Sequence, residues 1–300
     1  MSTNKRNSKI KAWIQASRPP FYIATIIPLT VGLVLSRPLH FEDIIMFGWI
    51  NIAAFMVHLA TNLANDLFDH YQGTDADKSI GGSRVIQEGK ISLKSLWIAV
   101  AILYFLAGLM AIYITQIQDI WLLWVFIIFA FLSSVFYVAP PIKYGYRGFG
   151  ELFVGINMGP IMVVGAYWAI NSYPTWLAFW ASLPIGIMVA SILYYQNLPD
   201  MQSDKKAGKL TLAVRLGKSG AYWGMVILGL AIYISVVLLI LFNIYPIYCL
   251  SILITIPLLF KLLEKIRNTK DWILLDQYGH LIRKIYLFNG IILIIGLILR

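Results

Sequence analysis

Two short acidic segments hold the residues of this chain that are best suited to metal chemistry. The first reads NDLFDHYQGTD and begins at Asn65. On a helix, Asn65, Asp66 and Asp69 would project from one face, because Asn65 and Asp66 precede Asp69 by four and three residues. Gly73 then allows a turn that lets Asp75 fold back towards them. Carboxylates this close repel one another without a cation, and oxygen ligands without His or Cys favour Mg²⁺.

The second acidic segment reads NLPDMQSDKKAGKLT and begins at Asn197. Asp200 and Asp204 are again four residues apart, and lysines follow them directly. Because acids hold metal ions and lysines meet phosphate oxygens, this arrangement suits a complex of a metal ion with a diphosphate. A solvated loop would explain either segment alone, but two such segments, each after an apolar run, favour one shared substrate.

The composition restricts which elements can position these residues. Hydrophobic residues make up 59% and charged residues 13% of the 300 residues, against about 45–50% and about 25% in soluble proteins. The mean hydropathy is +0.75. This excludes a soluble domain, a disordered chain and, despite the net charge of +10, a nucleic-acid-binding protein. The single cysteine, Cys249, excludes a disulfide framework, so the chain is predicted to be a polytopic membrane protein.

Apolar runs long enough to cross about 30 Å of hydrocarbon predict an all-α fold. We expect nine transmembrane helices in a single domain over residues 1–300, preceded by a basic arm at residues 1–18. The approximate limits are 19–36, 43–64, 93–115, 119–139, 150–170, 174–195, 220–242, 244–263 and 281–299. The acidic segments lie in the long connections 65–92 and 196–219, which are therefore expected to carry the function.

The distribution of basic residues predicts the orientation of these helices. If the N-terminus is cytoplasmic, all of the 24 lysines and arginines except Arg37 and Arg300 fall on the cytoplasmic side. Because cytoplasmic loops are enriched in Lys and Arg, the N-terminus is expected inside and the C-terminus outside. Both acidic segments would then face the cytoplasm, in a plasma membrane. The positive charge needs no acidic partner to explain it.

Amide and basic side chains in the predicted cytoplasmic segments are the further candidates for diphosphate binding. They are Asn65, Asn197, Arg18, Arg84, Lys143, Arg147, Lys205, Lys206 and Lys209. The glycines around Arg84 permit a backbone nest that would bind an anion. For each basic residue taken singly, chain orientation or lipid contact is the alternative explanation.

Tyrosines at the inner ends of the apolar runs are candidates for contact with a carbocation or an aromatic acceptor, because the faces of aromatic rings attract cations. These residues are Tyr137, Tyr194 and Tyr195. Anchoring at the membrane interface explains them equally well. Among the other titratable residues, His58 is expected to be a satisfied core histidine. Solvated loop charges are expected at Glu264, Asp271 and Asp276.

The two acidic motifs together resemble those of the UbiA superfamily of intramembrane prenyltransferases, and the resemblance covers essentially the whole chain. Four further stretches resemble the 1,4-dihydroxy-2-naphthoate prenyltransferases of menaquinone synthesis. They are WIQASRP from Trp13, IGGSRVIQEGKIS from Ile80, GYRGFGELFV from Gly145 and DKKAGKLTLAVRLG from Asp204. One departure is Pro199, which stands where that branch more usually has an arginine directly before the aspartate. This departure leaves the acceptor open.

The resemblance implies that a polyprenyl diphosphate binds through Mg²⁺ at the mouth of a helix-walled cavity. Loss of diphosphate would leave an allylic cation, which alkylates an aromatic acceptor; in the naphthoate branch the prenyl group replaces the carboxylate, which leaves as CO₂. Carried over by position, the catalytic residues would be Asn65, Asp69 and Asp200. The metal ligands would be Asp66, Asp69, Asp75, Asp200 and Asp204.

Two classes of alternative remain at this stage. The same cation chemistry would serve transfer to another phenol or a quinolone, or a terpene cyclase that needs no acceptor. A transporter would place its ionisable residues near the membrane midplane, whereas here the acids lie at the inner ends of the apolar runs. Prenyl chain length and oligomeric state are not predicted.

Overall fold

The protein is all-helical in the part that the computed structural model describes, residues 2–74 and 81–300, with side chains from residue 9 onward. Every regular element in these two ranges is a helix. The helices are α1 (Ser2–Ser17), α2 (Ile23–Leu35), α3 (Phe41–Tyr71), α4 (Leu93–Gln118), α5 (Trp121–Phe136), α6 (Gly150–Asn171), α7 (Trp176–Asn197), α8 (Met201–Lys206), α9 (Leu212–Leu241), α10 (Ile247–Asn268) and α11 (Trp272–Ile298). The predicted helical class is confirmed.

Seven helices in the described ranges are long and apolar enough to cross a membrane. An eighth span results if Lys9–Phe21 and Ile23–Leu35, which are bent by 52°, are taken together. α2 alone has 13 residues, or about 20 Å of helix, which is shorter than the hydrocarbon thickness of about 30 Å. α5 is also a shorter apolar helix. Each predicted run overlaps a helix of the structure, but the count of nine spans and the orientation stay predictions.

Helices α6 and α7 are in close backbone contact. A Cβ atom on Gly186 would lie 2.6 Å from the carbonyl oxygen of Gly155, and one on Gly159 would lie 2.7 Å from the Gly186 Cα. Small residues allow membrane helices to approach this closely. Within α6, residues Asn157–Ile161 form a π-helical turn that contains Pro160. Such turns are frequent at functional sites, and this one lies in the wall of a cavity described below.

The end of α3 that carries the first acidic motif packs against α1, α4 and the segment between α3 and α4. The buried residues of this cluster are Ala12, Ala16, Leu63, Ala64, Leu67, Val85, Ile91, Leu96 and Val100. Directly after α1, Arg18 adopts a left-handed conformation with φ of 55°, and a 3₁₀ turn over Pro19–Phe21 follows. This bend redirects the chain into α2 and leaves the Arg18 side chain beside α3.

Candidate active site

Asp66, in the last two turns of α3, is enclosed by hydrogen-bond donors. Its carboxylate accepts a hydrogen bond from Arg18 Nη2 and bonds from both the backbone N–H (3.1 Å) and the hydroxyl of Ser83. The Asp66 side chain is 3% exposed and that of Arg18 is 21% exposed. Asp66 therefore fixes Arg18 and connects α3 to the segment that precedes α4. Its predicted role as a metal ligand stays a prediction.

Asp69, one turn further along α3, is held by a tyrosine from the α5–α6 connection. The Tyr146 hydroxyl donates to Asp69 Oδ1 at 2.5 Å and lies 2.5 Å from the Thr74 hydroxyl. Burial and the Asp69 carboxylate both raise the pKa of Tyr146, so this phenol stays protonated and acts as a donor. Oδ1 of Asp69 is thus oriented by Tyr146.

The second acidic motif follows the end of α7. Asp200 precedes α8, and its carbonyl oxygen accepts hydrogen bonds from the backbone N–H of Asp204 (2.8 Å) and the hydroxyl of Ser203 (2.9 Å). Asp204 is 3% exposed, and its Oδ1 lies 3.4 Å from Lys209 Nζ. The Lys209 ammonium is also 5.5 Å from the centre of the Tyr146 ring. Lys209 and Tyr146 therefore join the two motifs.

The charges of both motifs act on one another. The pKa of Asp204 is raised to about 7, chiefly by burial; Lys209 opposes this shift, while the carboxylates of Asp200 and Asp69 add to it. Burial by itself lowers the pKa of Lys209, but the nearby carboxylates of Asp69 and Asp204 outweigh this effect, and the net shift is upward. Lys209 is therefore a permanent cation between two motifs that are about 135 residues apart in the sequence.

The available oxygen ligands fit a magnesium ion that binds together with a diphosphate. Asn65 Oδ1 and Asp204 Oδ2 are both buried and have no hydrogen-bond partner in the described structure. Within residues 2–74 and 81–300, no group of three or more Asp, Glu, His or Cys side chains is placed to hold a metal ion by itself. Asp75 lies outside the described residues. Since Mg²⁺ usually binds one or two carboxylates plus phosphate oxygens, a ligand set completed by the substrate is the arrangement that fits.

Three adjoining cavities lead from these residues into the bundle. The entrance cavity, of about 410 Å³, is lined by residues that include Arg18, Gln196 and Asp200. The chamber, of about 230 Å³, shares Arg18 and Gln196 with it and is also lined by Asn65. The apolar cavity, of about 360 Å³, has an almost entirely hydrophobic wall. It shares four residues with the chamber: Val57, Ala130, Ile161 and Met162.

Comparison with known proteins identifies this architecture. The sequence profile of the UbiA prenyltransferase family matches residues 25–282, which is most of the chain. The chain belongs to the UbiA prenyltransferase family. The predicted membership, and with it the prenyltransferase class, is confirmed.

Curated relatives and a solved structure agree with this assignment. The 1,4-dihydroxy-2-naphthoate octaprenyltransferase of Bacillus subtilis (strain 168) is 30% identical over 69% of this chain and 66% of its own length. The chain thus spans just under two thirds of that relative. The enzyme of the same name from Haemophilus influenzae is 32% identical over 73% of each chain. A UbiA homologue from Archaeoglobus fulgidus bound to GPP and Mg²⁺ has the same fold, with a TM-score of 0.63, 17% identity, and coverage of 94% of this chain and 99% of that one.

The basic residues predicted to bind diphosphate in this UbiA-family protein do not all line the same cavity. Arg18 lines the entrance cavity and the chamber, whereas Lys143 and Arg147 line a separate crevice of about 460 Å³ together with Arg215. The side chain of Arg147 is exposed, and its Nη2 donates to the carbonyl oxygen of Pro141 at 3.1 Å.

The other predicted diphosphate ligands lie around the two acidic motifs. Asn197 Nδ2 donates to Glu151 Oε1 at 2.8 Å, and both side chains are buried. Arg84 is half-buried and left-handed (φ of 62°) in the segment that Asp66 binds. Lys205 is exposed on α8. Among the predicted basic ligands, Arg18 pairs with Asp66 and Lys209 pairs with Asp204.

The three tyrosines predicted to contact a carbocation or the acceptor also lie in different environments in the structure. Tyr137 lines the chamber. Tyr195 lines the entrance cavity, and its hydroxyl donates to the carbonyl oxygen of Leu275 at 2.7 Å. Tyr194 instead packs between α7 and α9, where its hydroxyl donates to the Ala221 carbonyl oxygen at 3.0 Å. Gly224 leaves the space for it, since a Cβ there would lie 2.1 Å from the Tyr194 hydroxyl oxygen.

Two charged residues of the site were not predicted from the sequence. Asp276 and Arg283, in the first half of α11, line the entrance cavity, although Asp276 was expected to be a solvated loop charge. The Arg283 guanidinium lies 5.7 Å from the centre of the Phe21 ring, so α11 packs against the turn after Arg18. No signal in the sequence connects these segments, which are about 260 residues apart.

Proposed function

We propose that this UbiA-family protein transfers a polyprenyl group from its diphosphate to 1,4-dihydroxy-2-naphthoate, with Mg²⁺, as a step of menaquinone synthesis. The observation that carries the proposal is the meeting of the two acidic motifs around Lys209, with Asp69 and Asp204 acting on the same ammonium group. The names of the Bacillus and Haemophilus relatives support the acceptor. The GPP and Mg²⁺ bound to the Archaeoglobus homologue support the donor and the metal ion.

The diphosphate would bind at the entrance cavity. Asp69, Asp200 and Asp204, with Asn65 Oδ1, are the proposed metal ligands among the described residues, and Asp75 is a further candidate from the sequence. Bound Mg²⁺ would supply positive charge for the leaving diphosphate. Arg18, which lines both the entrance cavity and the chamber, and Lys209 are the proposed protein cations for the phosphate oxygens.

The two inner cavities suit the rest of the reaction. The hydrophobic wall of the apolar cavity matches a hydrocarbon chain. The chamber between it and the entrance has a mostly apolar lining, and a bound prenyl chain that fills it would keep out water, which would otherwise quench an allylic cation. Tyr137 is the proposed aromatic face for that cation, because it lines the chamber and aromatic rings attract cations.

In the proposed reaction, the C1–O bond of the donor breaks and the diphosphate leaves with the electron pair. The ring carbon of the acceptor that bears the carboxylate then donates an electron pair to C1. The carboxylate departs as CO₂ and returns its bonding pair to the ring, so no oxidant or reductant is required. The protein supplies charge stabilisation and orientation rather than a covalent intermediate.

The proposal is tested with membranes that contain the protein, Mg²⁺, a labelled prenyl diphosphate and a panel of acceptors. We expect a product with the mass of the prenylated, decarboxylated naphthoate, none with EDTA, and about a hundredth of the wild-type amount or less with the Asp69→Asn variant. A prenylated phenol or quinolone as the sole product would move the protein to another acceptor class. A cyclised hydrocarbon formed without any acceptor would indicate a terpene cyclase.

A second acceptor class deserves inclusion in the panel because of Pro199. This residue is buried and lines the entrance cavity beside Asp200, where the naphthoate branch more usually has an arginine. Since proline cannot pair with a carboxylate, phenols or quinolones without a carboxylate are the second candidates. In this proposal the entrance cavity opens to the cytoplasmic side of the plasma membrane, and the distribution of basic residues supports this orientation.

A further inference from the structure

The chamber wall contains a histidine that the chemistry above does not use. His58 lies on α3 two turns before Asn65, is 7% exposed, and lines the chamber. Its ring stacks on Phe55, with centroids 6.4 Å apart and planes at 10°, and Tyr22 contacts it edge-on at 6.2 Å. Aromatic packing on two sides therefore fixes the orientation of the imidazole.

The hydrogen-bond pattern assigns the tautomer of His58. Nδ1 lies 2.5 Å from the hydroxyl oxygen of Thr25, which is completely buried. In the described structure this hydroxyl has no other hydrogen-bond partner. If Nδ1 carried the proton, the Thr25 hydroxyl hydrogen would be left without an acceptor or water, which is unfavourable. Thr25 therefore donates to Nδ1, and the neutral ring carries its proton on Nε2.

The opposite edge of the ring presents an unused donor to the chamber. Nε2 of His58 has no hydrogen-bond partner within the described residues. The nearby Thr61 hydroxyl is already satisfied, since it donates to the Val57 carbonyl oxygen at 2.7 Å and lies 2.5 Å from the Ser134 hydroxyl. The Nε2–H group of His58 is thus an oriented hydrogen-bond donor on a side chain that is nine-tenths buried, and a ligand atom could accept its hydrogen bond.

The hydrogen-bond acceptors present on the two substrates indicate which of them would pair with His58 Nε2–H. A prenyl chain has no acceptor atom beyond its diphosphate, so packing it against Nε2–H would leave a buried donor unpaired. The chain crosses the chamber on its way from the entrance to the apolar cavity, and apolar side chains such as Met162 and Val189 offer it a hydrophobic path there. An aromatic acceptor carries oxygen substituents on its ring and is small enough to lie between Asn65 and the apolar cavity. The donor at His58 therefore matches the acceptor rather than the prenyl donor.

We propose that His58 Nε2 donates a hydrogen bond to an oxygen substituent of the aromatic acceptor and so orients its ring in the chamber. The inference rests on the proposed function and adds a specificity residue to it. His58 acts here as a hydrogen-bond donor and not as a base, since its Nδ1 is occupied by Thr25. A site that recognises an oxygen substituent in this way discriminates against analogues that lack the oxygen, because the buried Nε2–H donor would then stay unpaired.

The test measures the KM for the acceptor and for the prenyl diphosphate in four variants. His58→Leu removes the donor, and His58→Gln keeps an N–H near the position of Nε2. Thr25→Val/His58→Leu removes both partners, so that neither is left unpaired if the single variant folds poorly. Thr30→Val is the matched control for Thr25, which lies on the same helix, α2; within the described residues the Thr30 hydroxyl bonds only to the Ile26 carbonyl oxygen, at 2.7 Å.

We expect both leucine variants to raise the acceptor KM about threefold to tenfold, the range that one hydrogen bond gives. The prenyl diphosphate KM should stay within about twofold, and His58→Gln should recover most of the loss. The wild type should also prefer the hydroxylated acceptor to an analogue in which hydrogen replaces that hydroxyl group, and both leucine variants should lose this preference. Unchanged acceptor KM and preference in the double variant, or an equal rise in both KM values, would overturn the inference. Absence of any prenylated product from the wild type would instead refute the proposed function.

Discussion

The ion pair between Arg18 and Asp66 connects the stability of the bundle to its entrance cavity, and the change Asp66→Asn tests both. The Asp66 carboxylate accepts bonds from Arg18 and from two groups of Ser83. An asparagine retains one acceptor oxygen but turns an NH₂ group towards a donor, so one of these bonds is lost and Arg18 loses a carboxylate partner.

The magnitude follows from the burial of the pair. Removing one partner of a buried pair costs about 3–5 kcal/mol. The Asp66 side chain is 3% exposed, but that of Arg18 is 21% exposed, so partial hydration of the guanidinium places the expected loss near the lower end, at about 3 kcal/mol. For a chain of this size that corresponds to a fall in Tm of roughly 5–10 °C.

The assay is thermal unfolding of the purified protein in detergent, combined with the Mg²⁺ dependence of prenyl transfer. Glu88→Gln is the matched control, because Glu88 pairs with Lys90 at 2.5 Å but both side chains are about 40% exposed (39% and 43%); we expect no measurable change in its Tm. If Asp66 acts through Arg18, the variant should have a raised KM for prenyl diphosphate and an unchanged Mg²⁺ concentration for half-maximal rate. An unchanged Tm together with a higher Mg²⁺ requirement would refute this reasoning and make Asp66 a metal ligand.

Three further predictions concern the site and the orientation. Asp69→Asn and Asp200→Asn should each lower turnover about 10²–10³-fold, and the double variant should be little worse because the two residues act as a unit. Asp271→Asn is the control and should be near normal. Multiplicative losses in the double variant would indicate that the two motifs act in different steps of the reaction. Pro199→Arg should change the relative rates among naphthoate and phenolic acceptors without abolishing prenyl diphosphate binding, and an identical acceptor profile would show that the position does not contact the acceptor. A reporter fused to the C-terminus should be active only outside the cytoplasm and one in the loop after α3 only inside, so cytoplasmic activity of the C-terminal fusion contradicts the nine-span orientation.

Local features of the sequence predicted the helices because each apolar run must satisfy its own backbone hydrogen bonds in lipid. Spacing also predicted that Asn65, Asp66 and Asp69 project from one face of a helix, since side-chain direction on a helix depends on residue separation. The lengths of the individual transmembrane helices were harder to predict from the sequence. α2 ends at Leu35 after 13 residues and is bent by 52° from the preceding helix, and that bend depends on a left-handed Arg18 that no periodicity reveals.

The division of roles among similar residues depended on tertiary contacts. The sequence treats Asp66 and Asp69 as equivalent carboxylates, but Asp66 meets Arg18 and Ser83, whereas Asp69 meets Tyr146. Tyr194 and Tyr195 are adjacent, yet their hydroxyls reach different helices because neighbouring side chains on a helix point about 100° apart. Which direction leads to a cavity and which to the core is decided by the packing partners.

The sequence by itself determined the membrane class, the helical fold, the family and the two acidic motifs, because composition, periodicity and short-range spacing are local properties of the chain. Only the tertiary structure decided that Lys209 lies between the motifs, that Arg283 lines the entrance and that His58 presents a donor to the chamber. These relations join residues that are far apart in the chain, and they depend on how the helices pack. Burial then gives each group its charge state and its free or occupied hydrogen bonds, which no residue type carries on its own.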